Sequence, residues 1–284
     1  MKTDFSSVDF FFLLRKDALW NKNIEQFLNS LLSFDAELLP HFVFIFKGFT
    51  RKEIRQLQER FNIKKNRFII KDDLGFDLDA YYFATLHTRK RFLFFLNSYS
   101  ILRCNNAISL LVSHALLSQS RFVGASGSHE AIGYRQPYLD CTSIRSVLFF
   151  LLKVLHRTFY AIFSGFGFDN FPNPHIRTNA FFVERSLWLE YFSNLSLPLS
   201  KKQCLMIESG ESSFTKFAKE ESANPGVINS DGFFYNLNEL KISDVFRSMN
   251  DTKNLIDDNR TLEFQKSSMD KKRSLSWDAW GGGD

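Results

Sequence analysis

Val8-Asp9-Phe10-Phe11-Phe12-Leu13-Leu14 is the stretch on which the fold turns. Its apolar run is unbroken after Asp9, as in a strand buried on both faces, and Arg15-Lys16-Asp17 closes it. A small-residue cleavage site does not follow, so the run reads as a buried strand rather than a signal peptide. Residues 21–33 then place Ile24, Phe27, Leu28, Leu31 and Leu32 at helical spacing. The alternation repeats: residues 42–46 read as a second buried strand ending at Lys47-Gly48, and Thr50 with Glu53 has the spacing of a capping box. The helix that box opens carries Ile54, Leu57 and Phe61 on one face. Residues 67–70, 92–96 and 122–124 are further strand candidates, with helices over 77–86 and 107–117 between them. Strands separated by helices of this length require crossover connections, which predicts an α/β fold with a mainly parallel, Rossmann-like sheet flanked by helices on both faces.

Composition bounds the rest. The chain has 284 residues, 44% of them hydrophobic, enough for a sizeable core. Its 36 Lys and Arg against 31 Asp and Glu give a mild +5, which reads as spread along the chain and argues against a dedicated nucleic-acid binder. Cys104, Cys141 and Cys204 are far apart and odd in number, which excludes a disulfide scaffold or a zinc module and points to a reducing, cytoplasmic setting. The 34 phenylalanines fit aromatic-rich strands and leave contact with a membrane surface open. Residues 144–163 form an apolar stretch broken by Lys153, His156 and Arg157, too interrupted to span a bilayer. As a helix it would be either interfacial or a core helix with snorkelling basic residues, and the two readings stand level. Residues 181–183 and 205–207 are short strand candidates, and residues 250–284 read as a polar, frayed tail.

Four polar clusters lie where an open α/β sheet keeps its ligands, just beyond strand carboxyl ends. The first is Asp72-Asp73-Leu74-Gly75-Phe76-Asp77, in which Asp77 either caps the next helix or meets a ribose or base. The second, Asn97-Ser98-Tyr99-Ser100, is equally readable as a turn of small polar residues. In the third, residues 173–179, an extended chain would set His175, Arg177 and Asn179 on one face, able to meet phosphate or sugar oxygens. The fourth is Glu208-Ser209-Gly210-Glu211-Ser212, where Glu208 either solvates a helix start or serves as a general base.

Phe46-Lys47-Gly48-Phe49, Asp73-Leu74-Gly75-Phe76-Asp77 with Ala80-Tyr81, Phe95-Leu96-Asn97-Ser98, residues 123–128, residues 173–179 and Glu208-Ser209-Gly210 carry a resemblance in their order and spacing. Over residues 7–215 the chain resembles small bacterial GT-A-type glycosyltransferase-like proteins of surface-polysaccharide loci, those of lipopolysaccharide and capsule. The resemblance implies one GT-A-like domain over residues 1–250, followed by a polar tail over 251–284. It implies a nucleotide-diphosphate-sugar donor in residues 1–125 and a glycan or lipid-linked acceptor on residues 126–250. By carry-over Asp73 and Asp77 lie near the nucleoside, Asn97 stands with Ser98 where such enzymes carry a metal-binding Asp-x-Asp, and Glu208 stands near the acceptor as the base. A single base with no obvious nucleophile points to inversion at the anomeric carbon.

One departure bears on the cofactor. Mn²⁺ or Mg²⁺ on a diphosphate normally takes at least one carboxylate oxygen, and Asn97-Ser98-Tyr99 offers none. Three outcomes follow: weak metal binding, neutralisation of the diphosphate by Arg177 and His175, or a chain that binds without turnover. The rival classes to an enzyme are a catalytically silent sugar-nucleotide binder or scaffold of a polysaccharide locus, favoured by the missing carboxylate, and a peripheral membrane interaction protein, favoured by residues 144–163 and the 34 phenylalanines.

Overall fold

The computed structural model describes residues 5–132, 151–152, 154–155 and 167–281. The N-terminal alternation folds as β1 (Val8–Arg15), α1 (Trp20–Phe34), β2 (Phe42–Lys47), α2 (Arg51–Arg60), β3 (Arg67–Lys71), α3 (Asp77–Thr85) and β4 (Phe92–Leu96). A short β5 (Ile101–Leu102), α4 (Ala107–Leu117), β6 (Phe122–Gly124) and β7 (Gly127–Ser128) follow. Beyond the undescribed residues come β8 (His175–Ile176), β9 (Ala180–Glu184), α5 (Arg185–Phe192), α6 (Lys201–Ser209), α7 (Phe214–Glu220), β10 (Gly226–Ile228), β11 (Phe234–Asn236), β12 (Ile256–Asp257), α8 (Asn259–Lys266) and α9 (Met269–Trp280).

Eight strands form one sheet in the order β3-β2-β1-β4-β9-β6-β10-β11. β3, β2, β1 and β4 run parallel, as do β6 and β10, while β9 lies antiparallel between β4 and β6. The fold is α/β, with a mainly parallel central sheet flanked by helices. Its two faces follow from the period of two along each strand. Phe10, Phe12 and Leu14 of β1 join Phe44, Phe46 and Phe94 in a core with Ile24 and Phe27 of α1, Ile54 of α2 and Leu111 of α4. Phe11 and Leu13 point the other way, into a core with Phe95, Tyr81 of α3, Trp188 of α5 and Phe214 of α7. An unbroken apolar run is what a strand buried on both sides requires, and all of residues 8–14 are buried. Asp9 is held inside by Arg67 and the Thr88 hydroxyl.

Most of the expected elements form, and Thr50 and Glu53 close a reciprocal capping box at α2. Leu32, expected on the buried stripe of α1, is exposed. Two expectations are corrected. Residues 205–207 are not a strand but part of α6, because Ser200 and Gln203 form a capping box that starts a helix running to Ser209. Residues 250–281 are not a frayed tail: β12 pairs with β5, Asp258 caps α8, and Ala279 and Trp280 are buried. The apolar segment over 144–163 lies almost wholly outside the described residues; of those described, Leu151, Leu152 and Leu155 are helical and exposed. No helix among the described residues is long and apolar enough to cross a membrane.

Candidate functional site

The parallel strands β1, β2, β3 and β4 deliver their carboxyl ends to one edge of the sheet, each ending on or beside a polar group: Arg15, Lys47, Lys71 and Asn97. Arg15 extends to Asp77 at the first position of α3, its Nη1 3.3 Å from Asp77 Oδ1. Asp77 does not cap its own helix. Asp79 does, accepting from the Phe76 N–H at 2.7 Å and, with its other oxygen, from the Leu199 N–H at 2.8 Å. Gly75 permits this: it has φ of +73°, and a Cβ there would collide with the Asp79 carboxylate. Asp77 is thus left with a sealed Oδ1 and only the loose ion pair, and burial raises its pKa above the usual carboxylate value against the opposing pull of Arg15 and Lys47.

Lys47 is fully buried and donates from Nζ to the Asp73 carbonyl at 2.8 Å and to Asp73 Oδ1 at 3.1 Å. The Asp73 side chain is otherwise largely in solvent, at 73% exposure. Asn97 turns its Oδ1 inward, accepting from the Tyr99 N–H at 3.0 Å and from the Ser100 hydroxyl at 3.1 Å, so the turn reading of this cluster is realised. Ser98 is a brace between strands, donating to the Leu13 carbonyl and accepting from the Arg15 N–H. The Tyr99 hydroxyl donates to Asp17 at 2.8 Å.

Glu208 lies in the last turn of α6. A carboxylate there is opposed by the helix dipole, so something outside the helix must hold it. The Thr178 N–H donates to Glu208 Oε1 at 3.1 Å. Glu208 and Asp77 act together on the Tyr81 hydroxyl, which is wholly buried, has no hydrogen-bond partner among the described residues, and is held well above the ordinary tyrosine pKa, first by burial and then by Asp77. The same two carboxylates, with Asp79, bear on Cys204, whose thiol burial pushes up to about 12. His175, buried with its Nδ1 2.8 Å from the Asn173 carbonyl, is held below its usual pKa by burial against the pull of Glu208. Asp77, Tyr81, Glu208 and His175 therefore share one electrostatic neighbourhood, although they are far apart in the chain.

Arg177 and Asn179 are committed elsewhere. Arg177 donates from Nη2 to Asp258 at 2.7 Å, with both side chains almost fully buried, and lies 3.8 Å over the Phe246 ring. Asn179 accepts from the Ser126 hydroxyl at 2.9 Å, and its Nδ2 is buried without a partner among the described residues. Sequence reasoning gave no site role to Arg15, Lys47 or Tyr81, although Lys47 and Tyr81 fall within the stretches that carry the resemblance. The signal was present for two of them, because a charged residue at the last position of an apolar parallel strand emerges at the ligand edge.

The residues around Asn97 do not fit a resident Mn²⁺ or Mg²⁺. The Asn97 carbonyl oxygen already accepts two hydrogen bonds, and no three His, Cys, Asp or Glu side chains converge on one point among the described residues.

No protein-family model and no curated protein matches this sequence. Solved structures with a related arrangement include a mannosyltransferase from Pyrobaculum calidifontis in complex with GDP-Man and Mn²⁺, at 10% identity over 70% of this chain and 50% of that one, TM-score 0.40. TarS 1-349 of S. aureus aligns at 12% identity over 70% of this chain and 54% of that one, TM-score 0.39. A putative glucose-1-phosphate thymidylyltransferase from Bacillus anthracis aligns at 8% identity over 80% and 88%, TM-score 0.43. The chain spans about half the length of the first two.

Proposed function

We propose that this chain is a nucleotide-sugar glycosyltransferase, holding a nucleotide-diphosphate sugar at the carboxyl ends of β1 to β4 and passing the sugar to a glycan or lipid-linked acceptor of a cell-surface polysaccharide. The observation that carries this reading is the placement of Glu208: a carboxylate kept against its own helix dipole, tied by the Thr178 N–H, in the neighbourhood of Asp77 and Tyr81. Residues 1–125 supply the donor half, with Asp73 and Asp77 toward the nucleoside and Asn97 at the place of the metal-binding motif beside the diphosphate, and residues 126–250 the acceptor side. His175 lines the acceptor side, while Ser98, Arg177 and Asn179 position the strands and loops that carry the site.

Glu208 takes the proton of the acceptor hydroxyl as the acceptor oxygen bonds to the anomeric carbon. The bond from that carbon to the diphosphate oxygen breaks, and the diphosphate leaves with the electron pair. Its growing charge meets Arg15, while the buried Lys47 holds the Asp73 loop beside it. One displacement by one base inverts the anomeric centre. Arg15 is available for this because its pairing with Asp77 is loose and half exposed.

The test is a thermal-shift screen of UDP-, GDP-, ADP- and dTDP-sugars with and without Mn²⁺, followed by a transfer assay with the donor that binds. A donor at 100 times its Kd adds about 2.7 kcal/mol of stability. Stabilisation by one nucleotide sugar and release of its nucleoside diphosphate on adding a glycan acceptor support the reading, and a flat screen refutes it. A second reading, a silent sugar-nucleotide binder or scaffold, is favoured by the engaged Asn97 amide in place of a metal-binding carboxylate. It predicts donor stabilisation with no turnover.

A further inference from the structure

The positive charge of this chain is not evenly distributed. Residues 51–71, covering α2, the following turn and β3, hold eight Lys and Arg against two Glu, an excess of six where the whole chain has five. The reading of a spread charge is thereby corrected. Both glutamates are already engaged, Glu53 by Lys16 and Glu59 by Lys64. Arg51, Lys52, Arg55 and Lys65 are exposed and have no acidic partner among the described residues. Amid them lies a cavity of about 270 Å³ between α2 and β3, lined by Arg51, Ile54, Arg55, Gln58, Phe68 and Ile70. Phe68 is 47% exposed on the strand that ends the sheet.

We propose that this face binds the surface of an anionic membrane, with the basic residues over lipid phosphates and Phe68 seated among the upper acyl methylenes. Clustered cations beside an exposed aromatic anchor are what an anionic bilayer surface selects, each Lys or Arg contributing about 1 kcal/mol near such a surface. A second copy of this chain is the poorer occupant. β3 has an unpaired edge, but pairing it with a second copy would bring Arg51, Lys52, Arg55 and Lys65, which have no acidic partner among the described residues, toward their own images. Nucleic acid is poorer as well, because Ile54, Ile70 and one ring make an apolar slot rather than a stacking platform. Because α2 begins and β3 ends at the sheet edge that holds Arg15 and Asp77, a membrane bound here would lie beside the mouth of the candidate site. The surface itself does not depend on what that site does.

Vesicle co-sedimentation of the full chain decides the matter, using phosphatidylcholine alone or with about one third phosphatidylglycerol. The expected result is partition onto the anionic vesicles only, released by high salt. Arg51→Gln/Arg55→Gln/Lys65→Gln should bind about a hundredfold more weakly, from about 1 kcal/mol for each charge removed. Lys201→Gln/Lys202→Gln, on α6, should bind like wild type, and an unchanged Tm shows that each variant folds. Phe68→Ser tests the anchor with the charges intact and should bind more weakly than wild type even at low salt. Wild type that ignores anionic vesicles, or a triple variant that binds as wild type does, overturns the proposal. Retention by single-stranded RNA in competition with the vesicles assigns the face to nucleic acid, and salt-sensitive dimerisation lost in the triple variant assigns it to a second copy.

Discussion

Two arginine–aspartate pairs in this molecule look alike in sequence and differ in almost everything else. Arg177 and Asp258 meet at 2.7 Å with side chains 6% and 2% exposed. Asp258 also accepts from the Arg260 and Thr261 N–H groups, and Arg177 lies over Phe246. Arg15 and Asp77 meet at 3.3 Å with side chains 36% and 31% exposed and little else to hold them. The first pair is saturated and joins the C-terminal helices to the sheet; the second sits at the open edge with bonding capacity to offer a ligand. A buried, fully satisfied charge belongs to the scaffold, and a loosely held one at a strand carboxyl end is where ligand chemistry can enter.

The sharpest way to break this contrast is to remove one partner of the buried pair. Asp258→Ala leaves Arg177 charged, buried and alone, and should cost about 3–5 kcal/mol in denaturant unfolding. A loss under about 1 kcal/mol would mean that the pair is not structural. Next comes Glu208→Gln, which keeps the shape of the side chain and removes the basic oxygen. Sugar transfer should fall by about 10²-fold or more while donor binding stays unchanged. Transfer at the wild-type rate would remove Glu208 from the chemistry.

At the other pair, Arg15→Ala should weaken nucleotide-sugar binding by about 1.5–3 kcal/mol, the range for a hydrogen bond to a charged group. Its stability should barely move, since the exposed pair contributes only about 0–1 kcal/mol. Isothermal titration beside a melting curve separates the two effects, and the reverse pattern would exchange the roles of the two arginines.

The pairs should also part in their response to pH. Arg177 and the hydrogen bonds around Asp258 depress its pKa despite complete burial. Its contribution is therefore complete above the unfolded value, about pH 4, and is lost as the pH falls through the lower folded value. Asp77 has the opposite sign. Burial raises its folded pKa, so the fold gains stability from this group as the pH falls from neutral through that raised value. Asp77→Asn should abolish that gain in a pH series of unfolding midpoints, and Asp258→Asn should not. The smallest effect is local: Thr50→Ala removes one arm of the capping box of α2 and should cost about 1 kcal/mol in a melting curve.

What could be read from the chain alone was whatever repeats with a short period. The unbroken apolar runs at β1, β2 and β4, the stripe of Ile24, Phe27, Leu28 and Leu31, and the Thr50 and Glu53 box are local patterns, and they determined the parallel α/β sheet covered on both faces. They also located the edge where the carboxyl ends of the parallel strands emerge, because the end of a strand is a property of the strand. Long-range pairing left no such trace. The antiparallel insertion of β9 between β4 and β6 joins segments more than fifty residues apart. Asp258, in a stretch that reads as a tail, takes Arg177, 81 positions away, out of contention as a ligand group. Glu208 acquires its setting from Thr178, 30 positions back, and from Asp77 and Tyr81 on another helix. A charge is free or satisfied according to what packs beside it, and packing between distant segments follows from summed burial and geometry rather than from any local spacing.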